Sequence, residues 1–171
     1  LLKVGLDDAS LAALHDEFAD WPASDTGPMQ PAFVNADCLN RAWTDSSYRA
    51  LLERLPLVLA DGSGIRWALR LLHGVRLQDN VNGTDLFPLL CARAVTEGWR
   101  LGFLGSGSDV VEQLVEKTSQ RYPGLQIVFA RDGYFTDVEQ SEVVAAISEA
   151  RPDILLVGLG APRQEKWIDA N

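Results

Sequence analysis

The chain is poor in the residues that build metal and redox centres. It holds 2 cysteines and 2 histidines in 171 residues. Cys38 and Cys91 lie far apart in helix-like segments. That excludes a Cys-x-x-Cys centre and predicts buried, reduced thiols. His15 and His73 have no zinc-type spacing. No Asp-x-Asp occurs, so the usual carboxylate clamp for the metal of a nucleotide diphosphate is missing. No apolar run is long enough to span a bilayer, and no signal-peptide pattern is present. Positive charge is also scarce: 15 Lys and Arg against 24 Asp and Glu give a net −9. That balance argues against nonspecific nucleic-acid binding.

What is present suits one well-filled core, with 47% hydrophobic residues. Strand-like and helix-like segments alternate. A short strand is expected near Leu2–Val4, then a helix with Leu11, Leu14 and Phe18 on one face. The Pro-, Ser-, Asp- and Gly-rich stretch from Trp21 to Gln30 reads as a loop. Strands are expected at Pro31–Val34, Leu57–Ala60, Arg100–Leu104, Gln126–Ala130 and Ile154–Val157. Helices fall between them: segments up to Leu55, one to Leu72 stopped by Gly74, and one capped by Thr84 or Asp85 and running to about Gly98. Two more run from about Asp109 to Tyr122 and from Asp137 to Ala150. With no repeat, linker or low-complexity segment, the expectation is a single α/β Rossmann-like domain. Its sheet is mainly parallel, with helices on both faces.

Ligands of such sheets bind at the C-terminal ends of the strands. Two strand ends carry chemistry. Leu57–Ala60 runs into Asp61-Gly62-Ser63-Gly64, which sets a carboxylate at a strand tip beside a flexible turn. It can serve as a general base, bind sugar hydroxyls, or simply cap the next helix. Ile154–Val157 runs into Gly158-Leu159-Gly160-Ala161-Pro162, with Pro162 suited to open a helix. Arg163, Gln164 and Glu165 are then presented at that end. A third turn, Gly105-Ser106-Gly107-Ser108-Asp109, opens a helix whose N–H groups can hold a phosphate, although Asp109 caps the same end. A dinucleotide site fits less well. Val110 stands where the fingerprint's third glycine belongs, and Phe129-Ala130-Arg131 carries no ribose-binding acid. Arg66, Arg70 and His73 recur at near-helical spacing, followed by Arg76. This basic stripe suits anionic lipid head groups or a diphosphate, or is a solvated helix face.

Read in order, several segments resemble the WecG/TagA/CpsF family of bacterial glycosyltransferases. They are Val34-Asn35-Ala36-Asp37, Leu59-Ala60-Asp61-Gly62-Ser63-Gly64-Ile65, Asn82-Gly83-Thr84-Asp85-Leu86, Gly102–Gly107, Asp132-Gly133-Tyr134-Phe135 and Gly158–Trp167. The resemblance runs from about Val4 to the last residue. It implies an inverting, metal-independent transferase that needs no cofactor. Such an enzyme moves a sugar, commonly N-acetylmannosamine, from a UDP-sugar to a polyprenyl-diphosphate-linked saccharide. The work is done at the cytoplasmic face of the membrane, as a peripheral protein that self-associates. Asp61 maps to the proposed base, and Asn35 and Gln164 map to family motif positions. Substrate-binding roles extend by the same resemblance to Gly62, Gly64, Gly83 and Asp85. In the glycine turns they extend to Gly105, Gly107, Gly160 and Arg163.

Two positions depart from the family pattern. Phe33 replaces a threonine, and Asn80 stands where an arginine is common. A lost hydroxyl and a lost cation bear on the donor sugar and on the activity itself. A catalytically silent nucleotide-sugar-binding protein is therefore the first alternative, and a Rossmann-type oxidoreductase the second. The helix after Pro162 still runs at Asn171, so a fragment is expected, lacking a C-terminal segment that contacts the membrane.

Overall fold

A computed structural model describes residues 1–18 and 28–171. Most of the expected Trp21–Gln30 loop lies outside the described residues. Among the described residues no helix is long and apolar enough to cross a membrane. The chain divides into two compact units, Leu1–Pro88 with Glu165–Ala170, and Leu89–Gln164 with Asn171.

In the first unit β1 (Pro31–Val34) pairs in parallel with β2 (Leu57–Ala60), Pro31 opposite Leu57 and Val34 opposite Ala60. All four β2 residues are buried, as a continuous apolar run predicts. Leu57 and Leu59 pack with Leu14, Phe18, Val81 and Leu86, and Phe33 lies against this cluster. Phe33 is thus a packing residue of β1. The strand expected at Leu2–Val4 does not form, because Leu2 and Lys3 have φ of 48° and 68°. The pairing occurs instead at Asp7, which forms a single parallel bridge to Leu59. Asp7 N–H donates to the Val58 carbonyl (2.8 Å), and its carboxylate accepts from Val58 N–H (2.7 Å).

Among the described residues five helices start in this unit: α1 (Leu11–Glu17), α2 (Ala36–Thr44), α3 (Ser46–Arg54), α4 (Ser63–His73) and α5 (Gly83–Glu97). Side-chain caps start most of them. Ser10 caps α1, Asn35 caps α2, and Asp45 caps α3 through Ser47 and Tyr48. Gly74, with φ 70°, ends α4 as expected. The residues from Glu165 onward in α8 (Arg163–Ala170) belong to this unit. Lys166 pairs with Asp45 at 2.7 Å, and Arg54 pairs with Asp169.

In the second unit β3 (Arg100–Gly105) lies between β4 (Gln126–Arg131) and β5 (Ile154–Gly158), all parallel. β3 is buried along its length after Arg100. The connections are α6 (Ser108–Arg121) and α7 (Asp137–Ala150). Thr136 and Glu139 start α7 with a reciprocal capping box. Helices between parallel strands make this the α/β, Rossmann-like class that the alternation predicts. Both cysteines are buried and reduced. Burial pushes the Cys91 thiol up to about 11.

Candidate active site

Asp61 follows the last residue of β2, and its N–H donates to the Val34 carbonyl at 2.9 Å. This bond fixes the tip of β2 against β1. A helix cap would be the simplest employment for an aspartate here, and the structure does not use it so. Gly62 is the cap residue of α4, at φ 96° and ψ 155°, and the first turn has no side-chain cap. That backbone conformation turns the chain one residue after Asp61, which takes its carboxylate off the helix N–H groups. Among the described residues the carboxylate has no hydrogen bond or ion pair. Asp61 is half-buried. Burial pushes its carboxyl above the ordinary range, and the charge of Asp85 adds to the rise.

Asp85 is placed by its own helix start. Asn82, rather than Thr84 or Asp85, caps α5. Its Oδ1 accepts from Asp85 N–H at 2.9 Å, and its Nδ2 donates to the Asp85 carboxylate at 2.7 Å. Gly83 is consequently the first residue of the helix. Asn35 is also partly engaged. Its Oδ1 accepts from Cys38 N–H at 3.0 Å, capping α2, while its Nδ2 donates to nothing among the described residues. At Asn80 the Oδ1 is buried without a hydrogen-bond partner among the described residues.

The glycine turns of the second unit have a packing reason of their own. Gly105 has φ 141°, and a Cβ there would lie 2.7 Å from the Gly158 Cα. Ser106 N–H donates to the Gly158 carbonyl (3.2 Å), and Gly133 N–H donates to the Ser106 carbonyl (3.0 Å). The ends of β3 and β5 and the turn after β4 thus meet backbone to backbone. Gly107 caps α6 without a side-chain bond. A Cβ on Gly107 would meet an Asp109 carboxylate oxygen at 2.9 Å, so that acid lies over the turn. Gly160, at φ 80°, has open space where a Cβ would stand.

The motif after β5 splits into two jobs. Gln164 Oε1 accepts from Gly160 N–H at 3.0 Å, closing the turn. Arg163 donates to the Gly133 carbonyl (3.0 Å) and lies over the Phe135 ring, 5.0 Å from its centre. These bonds shape the Asp132–Phe135 turn. Pro162 precedes α8 rather than opening it. Glu165 is not presented at the strand end. It is 2% exposed and faces Tyr48, whose hydroxyl is held protonated first by burial and then by the Glu165 charge. Sequence reasoning missed the partnership of Tyr48 and Glu165. The one signal was a glutamate three residues after a proline, at a position that a turn of α8 carries inward. Among the described residues no group of three or more His, Cys, Asp or Glu side chains is gathered to hold a metal ion.

Comparison with known proteins bears on these strand-end motifs. The family model for glycosyl transferases of the WecG/TagA/CpsF family matches residues 1–171. A Bacillus subtilis (strain 168) protein named N-acetylglucosaminyldiphosphoundecaprenol N-acetyl-beta-D-mannosaminyltransferase is 35% identical over 135 residues. The match covers 79% of this chain and 52% of that protein. Proteins of the same name from Bacillus spizizenii (strain ATCC 23059 / NRRL B-14472 / W23) and Staphylococcus aureus (strain NCTC 8325 / PS 47) are 34% and 30% identical. Those matches cover 74% and 79% of this chain, and 48% and 52% of the relatives. The chain thus spans about half the length of the curated relatives it matches. With the family model matched from the first residue to the last, the chain belongs to the WecG/TagA/CpsF family of glycosyl transferases.

Proposed function

We propose that this chain transfers a sugar, N-acetylmannosamine or a related hexose, from a UDP-sugar to a polyprenyl-diphosphate-linked saccharide, with inversion. The observation that carries the reading is the Asp61 carboxylate. It stands at a strand tip, half-buried, unbonded among the described residues and raised in pKa. A structural aspartate is normally satisfied by a cap or a cation; one left without either is suited to accept a proton. In this mechanism Asp61 takes the proton of the acceptor hydroxyl as that oxygen attacks the anomeric carbon. The bond to the UDP oxygen breaks on the opposite face. Asn35 offers its Nδ2 to the sugar.

The departing UDP gathers negative charge, which backbone N–H groups and helix N-termini stabilise. We assign that task to the turn at Gly160 and to the first turn of α6. Gln164 closes the Gly160 turn, Gly107 caps α6, and Arg163 shapes the Asp132–Phe135 turn. No cation is required in this scheme, so turnover should survive a strong chelator. The names of the relatives, each with a diphosphoundecaprenol acceptor, support the acceptor class. A polyprenyl acceptor resides in the bilayer, so we place the reaction at the cytoplasmic membrane surface and leave self-association as part of the same proposal.

Asp61→Asn in the natural full-length protein tests the mechanism. Transfer should fall ~10²–10⁴-fold, with UDP affinity and unfolding midpoint unchanged. Near-normal turnover by the folded variant would remove Asp61 from the chemistry. The packing of Phe33 and the Asn80 Oδ1, buried without a partner among the described residues, favour a second reading, a binder without turnover. That reading predicts UDP-sugar affinity with no product from any lipid-linked acceptor.

A further inference from the structure

The first unit contains a half-open cavity of about 420 Å³ lined by Ser63, Arg66, Trp67, Arg70, Arg76 and Leu77. That volume lies in the ~300–1,000 Å³ range of small-molecule pockets. Half of its lining residues are arginines, in a chain of net charge −9. Three other arginines pair with acids one helical turn away: Arg41 with Asp37, Arg49 with Glu53, Arg93 with Glu97. Arg66, Arg70 and Arg76 have no ion pair among the described residues. Arg66 and Arg70 stand four residues apart on α4, an arrangement that repels. What sets these three arginines apart is that they line one cavity together.

Apolar side chains of α4 are exposed as well. Trp67, in the lining, is 60% exposed, and Leu71, one turn further along the helix and outside the lining, 76%. Arg70 lies 6.0 Å from the centre of the Trp67 ring. Guanidinium groups grip phosphate oxygens through paired N–H bonds. Three of them suit a diphosphate better than the single charge of a phospholipid head group, and a concave site is more than a membrane surface needs. The cavity also begins at Ser63, two residues after Asp61. Chain geometry alone keeps those two residues within ~7 Å.

We propose that this cavity is the subsite for an isoprenoid diphosphate. Arg66, Arg70 and Arg76 hold the diphosphate oxygens, and Trp67 and Leu71 carry the first isoprene units. The assignment rests on the transferase reading for its ligand class. It deepens that reading by fixing where the acceptor's lipid anchor binds, on the Asp61 side of α4.

Farnesyl diphosphate is the probe, titrated into the chain by calorimetry with UDP titrated separately. The wild-type chain should bind it saturably. Arg66→Gln with Arg70→Gln should weaken that binding by ~10-fold or more and leave UDP affinity unchanged. Arg76→Gln, outside the helix, should do the same in part and serves if the double variant misfolds. Farnesol should bind far more weakly than farnesyl diphosphate. Unchanged farnesyl diphosphate affinity in the folded variants would overturn the proposal. So would loss of binding to phosphatidylglycerol vesicles in variants that still bind farnesyl diphosphate normally, since the stripe would then be a membrane contact. Binding is read without turnover. A chain that binds the probe but transfers no sugar would refute the transferase reading alone. Variants with normal probe binding and normal transfer would refute the subsite alone.

Discussion

Alanine at Gly105 and alanine at Gly160 should cost the protein very different amounts. At Gly105 the new Cβ would lie 2.7 Å from the Gly158 Cα, well inside contact distance. Both partners are backbone at strand ends, so no rotamer change relieves the overlap. Overpacking of this kind costs ~1–3 kcal/mol. The φ of 141° adds ~1–3 kcal/mol, because side-chain-bearing residues rarely occupy it. The expected loss is the sum, roughly 2–6 kcal/mol. At Gly160 a Cβ meets no neighbour, so only the strain of φ 80° remains, ~1–2 kcal/mol. Urea unfolding of both variants beside the wild type gives the comparison. Equal unfolding free energies for the two alanine variants would refute the packing argument. UDP calorimetry supplies the second half. Gly160→Val, if folded, should lose UDP affinity, because the open space over this turn is where we place the nucleotide. Unchanged affinity would move the nucleotide elsewhere.

Other substitutions probe the same unit. The negative charge of Asp85 helps to raise Asp61, and a base works only when ionised. Asp85→Asn should therefore shift the acidic limb of kcat/KM to lower pH; an unmoved limb would dissociate the limb from Asp61. Asn35→Asp keeps the oxygen that caps α2 and removes the Nδ2 donor, so stability should hold while transfer falls. Asn35→Ala should add a stability loss of ~1 kcal/mol, seen as a lower unfolding midpoint. Arg163→Lys keeps the charge but not the reach to both the Gly133 and Phe135 carbonyls. Amide exchange at Asp132–Phe135 should accelerate in that variant.

The strands were legible because each is a short, mostly apolar run, and most stop at a turn-forming residue such as Asn35, Asp61, Gly105 or Gly158. Pro31–Val34 and Leu57–Ala60 match residue for residue, and the other three extend by one residue. The short strand expected near Leu2–Val4 failed for a local reason, the left-handed backbone at Leu2 and Lys3. No composition rule anticipates that an aspartate side chain at residue 7 completes the pairing. Helix starts were less legible than strand ends. Several polar residues near Gly83 compete for the cap, and Asn82 wins through its two-way exchange with Asp85. The position of Asp61 was readable, but its freedom from capping was not, since that depends on the φ of Gly62. Glu165 looked like a surface residue because charged residues usually are; its burial beside Tyr48 comes from the way α8 lies on its neighbours.

Asp45 carries two duties on one carboxylate. It caps α3 through Ser47 and Tyr48, and it receives Lys166 of α8. These partners, Lys166 foremost, hold its carboxyl well below the ordinary range. A depressed acid stabilises the fold above its unfolded pKa, and that contribution fades as pH falls toward the native value. One proton would then unfasten two elements together: the start of α3 loses its anchor as α8 loses its tether. Acid should accordingly loosen α3 and α8 in a single step, and hydrogen exchange in the two helices should rise along one titration curve rather than two.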